Sequence, residues 1–234
     1  MSEAAFLNAT RESYDAVVAD HVERVRRGSP PGRWLITERT FADQPPLARA
    51  MMGVLAELVR AGGNGPLADV GCGSGGITQG LADLGVDPIG IDLSPQMIAL
   101  ARERYPAVRF DVGSMLSLGL ADGSLDGVLA SNSIIHVPWD LRSRVFAEFG
   151  RVLRPGGHVL VTFPIGAERR HHTDADGVEI SLDWYQQRPD DVVALLGGAG
   201  FEVHIHAVEE PVAGETRAPH GYVLARRSRS LTTG

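Results

Sequence analysis

A run of small residues from Asp69 to Gly76, with the sequence DVGCGSGG, has the composition of a loop that binds a nucleotide-like ligand. It follows a short apolar stretch and precedes an amphipathic one, which predicts a strand that turns into a helix. Glycines in such a turn let a ligand approach bare backbone at the amino end of the helix. The spacing of Gly71, Gly73 and Gly76 also fits dinucleotide-binding loops, so the loop alone leaves two ligand classes open.

Two carboxylates near this loop narrow the choice. Asp69, at the end of the predicted first strand, suits a cationic amino group and would repel a pyrophosphate, which favours a zwitterionic ligand. Asp92 ends the next apolar run and is placed to accept hydrogen bonds from two ribose hydroxyls. In addition, about 65 residues precede the loop, whereas the glycine loop of a dinucleotide-binding fold commonly lies near the start of the chain. We therefore expect a nucleoside with a charged amino group.

Composition excludes several classes of enzyme. All 22 basic residues are arginine, so chemistry that needs a lysine, such as a Walker-type phosphate loop or a Schiff base, is ruled out. Cys72 is the single cysteine, which excludes an intrachain disulfide and a thiolate zinc cluster. A net charge of -7 argues against a nucleic-acid partner. Neither a membrane span nor a leader peptide is evident, so we expect a soluble cytoplasmic protein.

The elements that must position these residues follow a βαβ rhythm from residue 66 onward. Short apolar runs near 67–71, 88–92, 108–112, 125–131 and 158–163 predict the buried strands of a parallel sheet. We expect a doubly wound α/β fold with a mostly parallel seven-stranded sheet, whose last strand is antiparallel. Residues 66–234 would form this core with a loop lid at about 164–188. Residues 1–65 would form an N-terminal helical cap over the carboxyl edge of the sheet, where ligands bind.

Four segments in this order resemble the class I S-adenosylmethionine-dependent methyltransferases, within the group that acts on small molecules. The resemblance covers about residues 65–165 and rests on LADVGCGSGG, GIDLSPQMI, the segment from Gly113 to Asp126, and RVLRPGGHVLVTF. The Rossmann-like fold of that family agrees with the fold expected above. The resemblance implies S-adenosylmethionine as the cofactor and a small molecule as the methyl acceptor.

The same resemblance implies a role for eleven residues in binding the cofactor. Asp69, Gly71 and Gly73 would hold the methionine moiety, with Cys72 in the same loop, and Asp92 would hold the ribose. Leu93 and Met97 would contact the adenine face, Ser114 and Met115 its edge, and Ser131 would lie beside the methionine part. Ser114 stands where the family usually has an acidic residue. Tyr14, in Ser13-Tyr14-Asp15, is similar to a family element that closes over the cofactor.

His136 is the candidate catalytic base, because methylation of an oxygen atom requires loss of its proton near the exit of the fourth strand. The alternative is a histidine that only packs against the site. His171 and His172 have the chemistry of metal ligands, but we expect no metal and interpret them as part of a loop that is either solvated or lines the substrate. Trp34, Trp139, Trp184 and Tyr185 lie outside the sheet motifs and are candidates for contacts with an aromatic or hydrophobic acceptor.

Together these features predict methyl transfer to a small molecule, with a secondary metabolite as the expected acceptor. Oxygen is the first choice for the methylated atom, followed closely by nitrogen and carbon. Two alternatives remain open: a nicotinamide-dependent oxidoreductase and a non-catalytic cofactor-binding regulator.

Overall fold

A computed structural model describes residues 3–29, 40–212 and 217–229 of the chain. The candidate Trp34 lies outside these residues. The helices are α1 (Glu3–Arg26), α2 (Pro46–Ala61), α3 (Gly76–Asp83), α4 (Pro95–Arg104), α5 (Arg142–Val152) and α6 (Pro189–Gly198). The strands are β1 (Pro66–Val70), β2 (Asp87–Asp92), β3 (Arg109–Val112), β4 (Leu125–Ser131), β5 (Leu153–Pro164), β6 (Arg169–Ala175), β7 (Val178–Tyr185), β8 (Phe201–Glu209) and β9 (His220–Arg227).

Seven strands form the central sheet in the order β3-β2-β1-β4-β5-β9-β8, which confirms the predicted mostly parallel sheet. Strands β1 to β5 run parallel to one another, and β9 pairs antiparallel with both β5 and β8. The strand β9 thus lies inside the sheet, and β8 forms the edge. The order places the carboxyl ends of β1 and β4 side by side, where ligands bind in folds of this kind.

Hydrophobic clusters cover both faces of the sheet. On one face α2 and α3 bury residues such as Met52, Leu55 and Leu81 against strand residues that include Leu67 and Leu129. On the other face, residues of α5 and α6 pack against β1, β4, β5 and β9. The position of α2 differs from the expectation that residues 1–65 lie over the carboxyl edge. The apolar face of α2 packs on the sheet, so among the described residues before β1 the cavity at this edge is lined by helix α1 and by Gln44.

The segment expected to be a loop lid is instead a β-hairpin formed by β6 and β7. Asp176 and Gly177 form its tight turn, and both have positive φ, as a two-residue hairpin of the Asp-Gly type requires. Ile180 and Leu182 of β7 are buried against Val17 of α1. The hairpin is ordered because this alternating apolar face of β7 has a helix to pack against.

None of the helices in the described ranges is both long enough and apolar enough to cross a membrane.

Candidate functional site

The glycine loop joins β1 to α3 and presents backbone to a cavity. Gly71, Gly73 and Gly75 have φ values of 79°, 54° and 84°, a left-handed backbone that side chains other than glycine rarely adopt. A Cβ atom on Gly71 would lie 2.3 Å from Cβ of Ser133, so the loop is pressed against the residues that follow β4. A Cβ atom on Gly73 would meet nothing within 4 Å, which leaves open space above this residue for a ligand.

A cavity of about 680 Å³ lies above this loop along the carboxyl edge of the sheet. Its lining comes from the exits of β1, β2, β4 and β5, from helix α1, from β7 and from the residues just before β9. The wall includes six apolar side chains: Phe6, Leu7, Ile77, Ile135, Val137 and Pro164. The volume and the mixed lining suit a nucleoside together with a second small molecule.

Asp92 lines the cavity with a fixed orientation. Its carboxylate accepts hydrogen bonds from the backbone N–H groups of Gly73 and Ser94, each at 2.9 Å. Burial raises the pKa of Asp92, while the two backbone donors act in the opposite direction. A carboxylate oxygen has more than one lone pair, so both oxygens can accept a further hydrogen bond from a ligand hydroxyl. Ser94 also caps α4, as its place before Pro95 predicts, by accepting a bond from Met97 N–H at 3.0 Å.

Asp69 does not line the cavity, although it stands beside the loop in sequence. Its side chain is 1% exposed and accepts a 2.7 Å hydrogen bond from the hydroxyl of Thr78 on α3. Burial raises the pKa of Asp69 to about 7, and the bond from Thr78 opposes this shift. The Asp69 side chain therefore links the end of β1 to α3, on the side of the glycine loop away from the cavity. It does not face a ligand amino group, although the sequence suggested that it would.

Tyr14 and His136 meet at the cavity wall. The Tyr14 hydroxyl lies 2.8 Å from Nε2 of His136, and Nδ1 of the same ring lies 3.2 Å from the carbonyl oxygen of Asp183. Since a carbonyl only accepts, Nδ1 carries the proton, and Nε2 accepts from Tyr14. Burial lowers the pKa of His136 to about 4 and raises that of Tyr14. Both groups are therefore neutral near pH 7.

Helix α1 lies over the cavity and forms hydrogen bonds with the start of α4 on one side and with β7 on the other. Asp15 accepts a 2.5 Å hydrogen bond from the Ser94 hydroxyl and one of 3.3 Å from the N–H of Gln96. On the other side, the hydroxyl of Ser13 accepts a 3.0 Å bond from the N–H of Ser181 in β7. These contacts connect the cover to the strand end that carries Asp92.

Most of the residues singled out in the sequence come together at this cavity. Those that line it are Tyr14, Gly71, Cys72, Gly73, Asp92, Leu93, Met97, Ser114, Met115, Ser131, His136 and Trp184. Of the six substrate candidates, Trp184 is the one that does so within the described residues.

The other described substrate candidates point elsewhere. Trp139 is 49% exposed and packs edge-on against Tyr185, with ring centroids 5.3 Å apart, beside a second, shallower groove. His171 lies on β6, where Nδ1 is 2.9 Å from a carboxylate oxygen of Asp183. His172 contacts Trp184 with the two rings tilted and their centroids 4.6 Å apart, and it does not itself line the cavity. The expectation that these four side chains contact the acceptor is wrong for this geometry, because β6, the end of β7 and the segment after β4 turn them away from the cavity.

Several lining residues were missed in the sequence: Phe6, Leu7, Thr10, Gln44, Pro164, Arg217 and His220. They come from regions far apart in the chain and carry no motif. Phe6, Thr10 and Tyr14 share one helical face at spacings of four residues, which was the available signal. Within the described residues, no group of three or more histidine, cysteine, aspartate or glutamate side chains is arranged to hold a metal ion.

The chain is similar to known methyltransferases over part of its length. Residues 67–157 match the family model described as "Methyltransferase domain". The chain is 35% identical over 138 residues to a probable S-adenosylmethionine-dependent methyltransferase of Mycolicibacterium smegmatis, covering 58% of this chain and 51% of that protein. It is also 35% identical over 149 residues to the O-methyltransferase cnsE of Penicillium expansum, covering 58% and 52%. The chain spans about half the length of these curated relatives.

Solved structures share the fold at lower identity. A methyltransferase from Methanosarcina mazei superposes with a TM-score of 0.64 at 23% identity, covering 70% of this chain and 93% of that one. Magnesium protoporphyrin IX methyltransferase from Synechocystis, with S-adenosylmethionine bound, gives a TM-score of 0.63 at 18% identity and covers 95% and 97%.

Proposed function

We propose that this chain, whose residues 67–157 match a methyltransferase domain, is a class I S-adenosylmethionine-dependent methyltransferase that transfers a methyl group from that cofactor to a small molecule. The observation that carries the proposal is the cavity of about 680 Å³ that includes Asp92 and the bare glycine loop and continues over the exits of β4 and β5. A cavity of this length accommodates a nucleoside at one end and an acceptor at the other.

The residues present fit the cofactor. The open space above Gly73 and the fixed Asp92 carboxylate would hold the nucleoside, with Leu93, Met97, Ser114 and Met115 around its base. The backbone of the loop from Gly71 to Gly73, together with Ser131, would hold the amino-acid part. Asp69 would act through Thr78 on the loop rather than on the ligand. When bound, the cofactor supplies an electrophilic methyl group on a sulfonium.

The chain's own contribution is mainly positioning and exclusion of water. A displacement at carbon needs the nucleophile in line with the leaving group, so a rigid and covered site accounts for much of the rate. Helix α1 provides that cover through Tyr14 and Asp15, and Trp184 gives the acceptor a flat wall. We propose that residues 66–234 form the core, with residues 164–188 as a lid insertion, and that helix α1 is the part of residues 1–65 that closes the cavity, while α2 packs on the face of the sheet.

The protonation and the hydrogen bonding of His136 limit the kinds of acceptor that suit the site. With its pKa lowered to about 4 and Nε2 occupied by Tyr14, His136 is a weak base at neutral pH. We propose that it positions Tyr14 and that the acceptor needs little help to lose a proton. A phenol or enol oxygen meets this condition and stays our first choice, followed by an amine bound in its neutral form and by carbon. We propose a secondary metabolite as the acceptor and the cytoplasm as the compartment.

Calorimetric titration with S-adenosylhomocysteine and with nicotinamide dinucleotides tests the cofactor class. Binding of S-adenosylhomocysteine alone supports the proposal, and binding of a dinucleotide alone refutes it in favour of an oxidoreductase. A panel of phenols, enols and amines incubated with S-adenosylmethionine then tests turnover through the release of S-adenosylhomocysteine. Binding without release from any acceptor in the panel would indicate a non-catalytic regulator.

A further inference from the structure

The cavity extends from Asp92 and the glycine loop, where we place the cofactor, to the start of β9. Because β9 runs antiparallel to β5, its first residue His220 pairs with Pro164, the last residue of β5. Arg217, His220 and Pro164 all line this end of the cavity. In the order β2-β1-β4-β5-β9, four strand spacings separate it from Asp92, which amounts to roughly 19 Å. Asp92 and Arg217 therefore lie at opposite ends of one cavity.

Arg217 carries the positive charge of this cavity. The histidines that line it, His136 and His220, are partly buried, and this desolvation lowers the pKa of each to about 4 and leaves both uncharged at neutral pH. Among the cavity-lining residues within the described ranges, Arg217 is thus the side chain with a positive charge, and Asp92 is the acidic one. A ligand that spans the cavity meets opposite charges at its two ends.

Arg217 is held at the rim by residues of the two last strands. Its Nη2 lies 3.4 Å from a carboxylate oxygen of Glu209, and the other oxygen of Glu209 accepts a 2.7 Å hydrogen bond from the hydroxyl of Tyr222. Tyr222 is fully buried, so Glu209 has a fixed orientation. A long, partly exposed ion pair of this kind is weak. A guanidinium has five N–H donors in a planar fork, so Arg217 can bind a ligand oxyanion as well as Glu209.

We infer that the methyl acceptor carries an oxyanion, a carboxylate or phosphate, that binds Arg217, and that its flat apolar body lies along Pro164 and Trp184. The inference rests on the proposed function, because it assigns the part of the cavity beyond the cofactor to the acceptor. From the exit of β4 to β9 there are two strand spacings, about 10 Å. The acceptor is therefore expected to place its anionic group about two fused rings away from the methylated atom.

A matched pair of probes tests this inference by binding rather than by turnover. The probes are 6-hydroxy-2-naphthoate and its neutral carboxamide, titrated calorimetrically into the protein with and without saturating S-adenosylhomocysteine. We expect the wild-type protein to bind the carboxylate at least about tenfold more tightly than the amide, the range of one charge-assisted bidentate contact. In R217Q the two affinities should become equal within about twofold. The control R27Q, which alters an exposed, ion-paired arginine outside the cavity, should keep the wild-type preference.

A second variant and a second measurement guard against a folding defect. R217K keeps the charge and loses the fork, so it should retain part of the preference, and added salt should reduce the preference in the wild type. Equal affinity of the two probes in the wild type, a preference that survives in R217Q, or no binding of the carboxylate would overturn the inference. Failure of the proposed function has a different signature, since it appears as absent binding of S-adenosylhomocysteine while the titrations without it still report on Arg217.

Discussion

The Tyr14 hydroxyl donates a 2.8 Å hydrogen bond to Nε2 of His136, across 122 residues of sequence. The opposite nitrogen of the same imidazole donates to the carbonyl of Asp183. One neutral ring therefore joins helix α1, the segment after β4 and strand β7. Each of these elements forms part of the cavity wall, so the His136 ring connects helix α1, which covers the cavity, to the segment after β4 and to β7.

Loss of the Tyr14 hydroxyl should loosen this cover. We expect Tyr14→Phe to weaken binding of S-adenosylhomocysteine about tenfold and to lower the free energy of unfolding by about 1 kcal/mol, since a buried donor–acceptor pair is lost. Calorimetry and urea denaturation measure the two effects. Tyr105→Phe, at the end of α4 and outside the cavity, is the matched control. Binding by Tyr14→Phe as tight as by the wild type would contradict the role of Tyr14 in the cover.

The lowered pKa of His136 predicts a specific pH profile. The ring is already neutral above about pH 5, so the methyl-transfer rate should show no inflection from His136 between about pH 6 and about pH 9. We expect His136→Asn to lower the rate without changing the shape of the profile, measured on the best acceptor of the panel. An inflection near pH 6.5 in the wild type that disappears in His136→Asn would instead identify His136 as the base.

Asp69 should make the folded protein less stable as pH rises. Its pKa is near 7 when folded and near its ordinary value when unfolded, so the folded state binds more protons between these values. The free energy of unfolding therefore falls with increasing pH until Asp69 ionises. Between about pH 5 and about pH 8 the wild type should lose on the order of 2–3 kcal/mol more than Asp69→Asn.

Urea denaturation of the cofactor-free protein at the two pH values measures this difference for Asp69. The control Asp83→Asn changes an aspartate that hydrogen-bonds to Gln79 at the protein surface, and it should follow the wild type. Parallel pH dependence of the wild type and Asp69→Asn would show that the carboxylate is not held in its neutral form.

Asp92 should dominate the affinity for the nucleoside. We expect Asp92→Ala to weaken binding of S-adenosylhomocysteine about 100-fold, because two hydrogen bonds to a charged acceptor are lost. Asp87→Ala, at the exposed start of the same strand, should bind as the wild type does. Melting temperatures of both variants would reveal any general loss of structure. Unchanged affinity of Asp92→Ala for S-adenosylhomocysteine would show that the nucleoside does not bind at the end of β2.

The two described tryptophans should respond differently to ligand binding. Trp184 lines the cavity, whereas Trp139 is half exposed beside the second groove. Saturation with S-adenosylhomocysteine should change the tryptophan emission of the wild type and of Trp139→Phe, and this change should be largely lost in Trp184→Phe. A full response in Trp184→Phe would place Trp184 away from the ligand.

The fold was predictable from the sequence in its main features. Five apolar runs located β1 to β5 because strands covered by helices on both faces read as continuous hydrophobic segments. The hairpin of β6 and β7 was missed, since β6 is mostly exposed and polar. Its signals were the Asp176-Gly177 turn and the alternation of Ile180, Leu182 and Trp184. The burial of α2 on the sheet was missed because an amphipathic pattern shows that a helix packs, but not against which surface.

The sequence by itself determined the glycine loop, the cap at Ser94 and the carboxylate at Asp92, because each depends on backbone geometry within a few neighbouring residues. The tertiary structure decided which side chains share the cavity. It turned Asp69 toward Thr78, brought Tyr14 to His136 and placed Arg217 opposite Asp92. The first of these relationships depends on how α3 packs on β1, and the other two depend on the order of strands and on the placement of α1. Long-range contacts of the latter kind leave no local pattern in the chain.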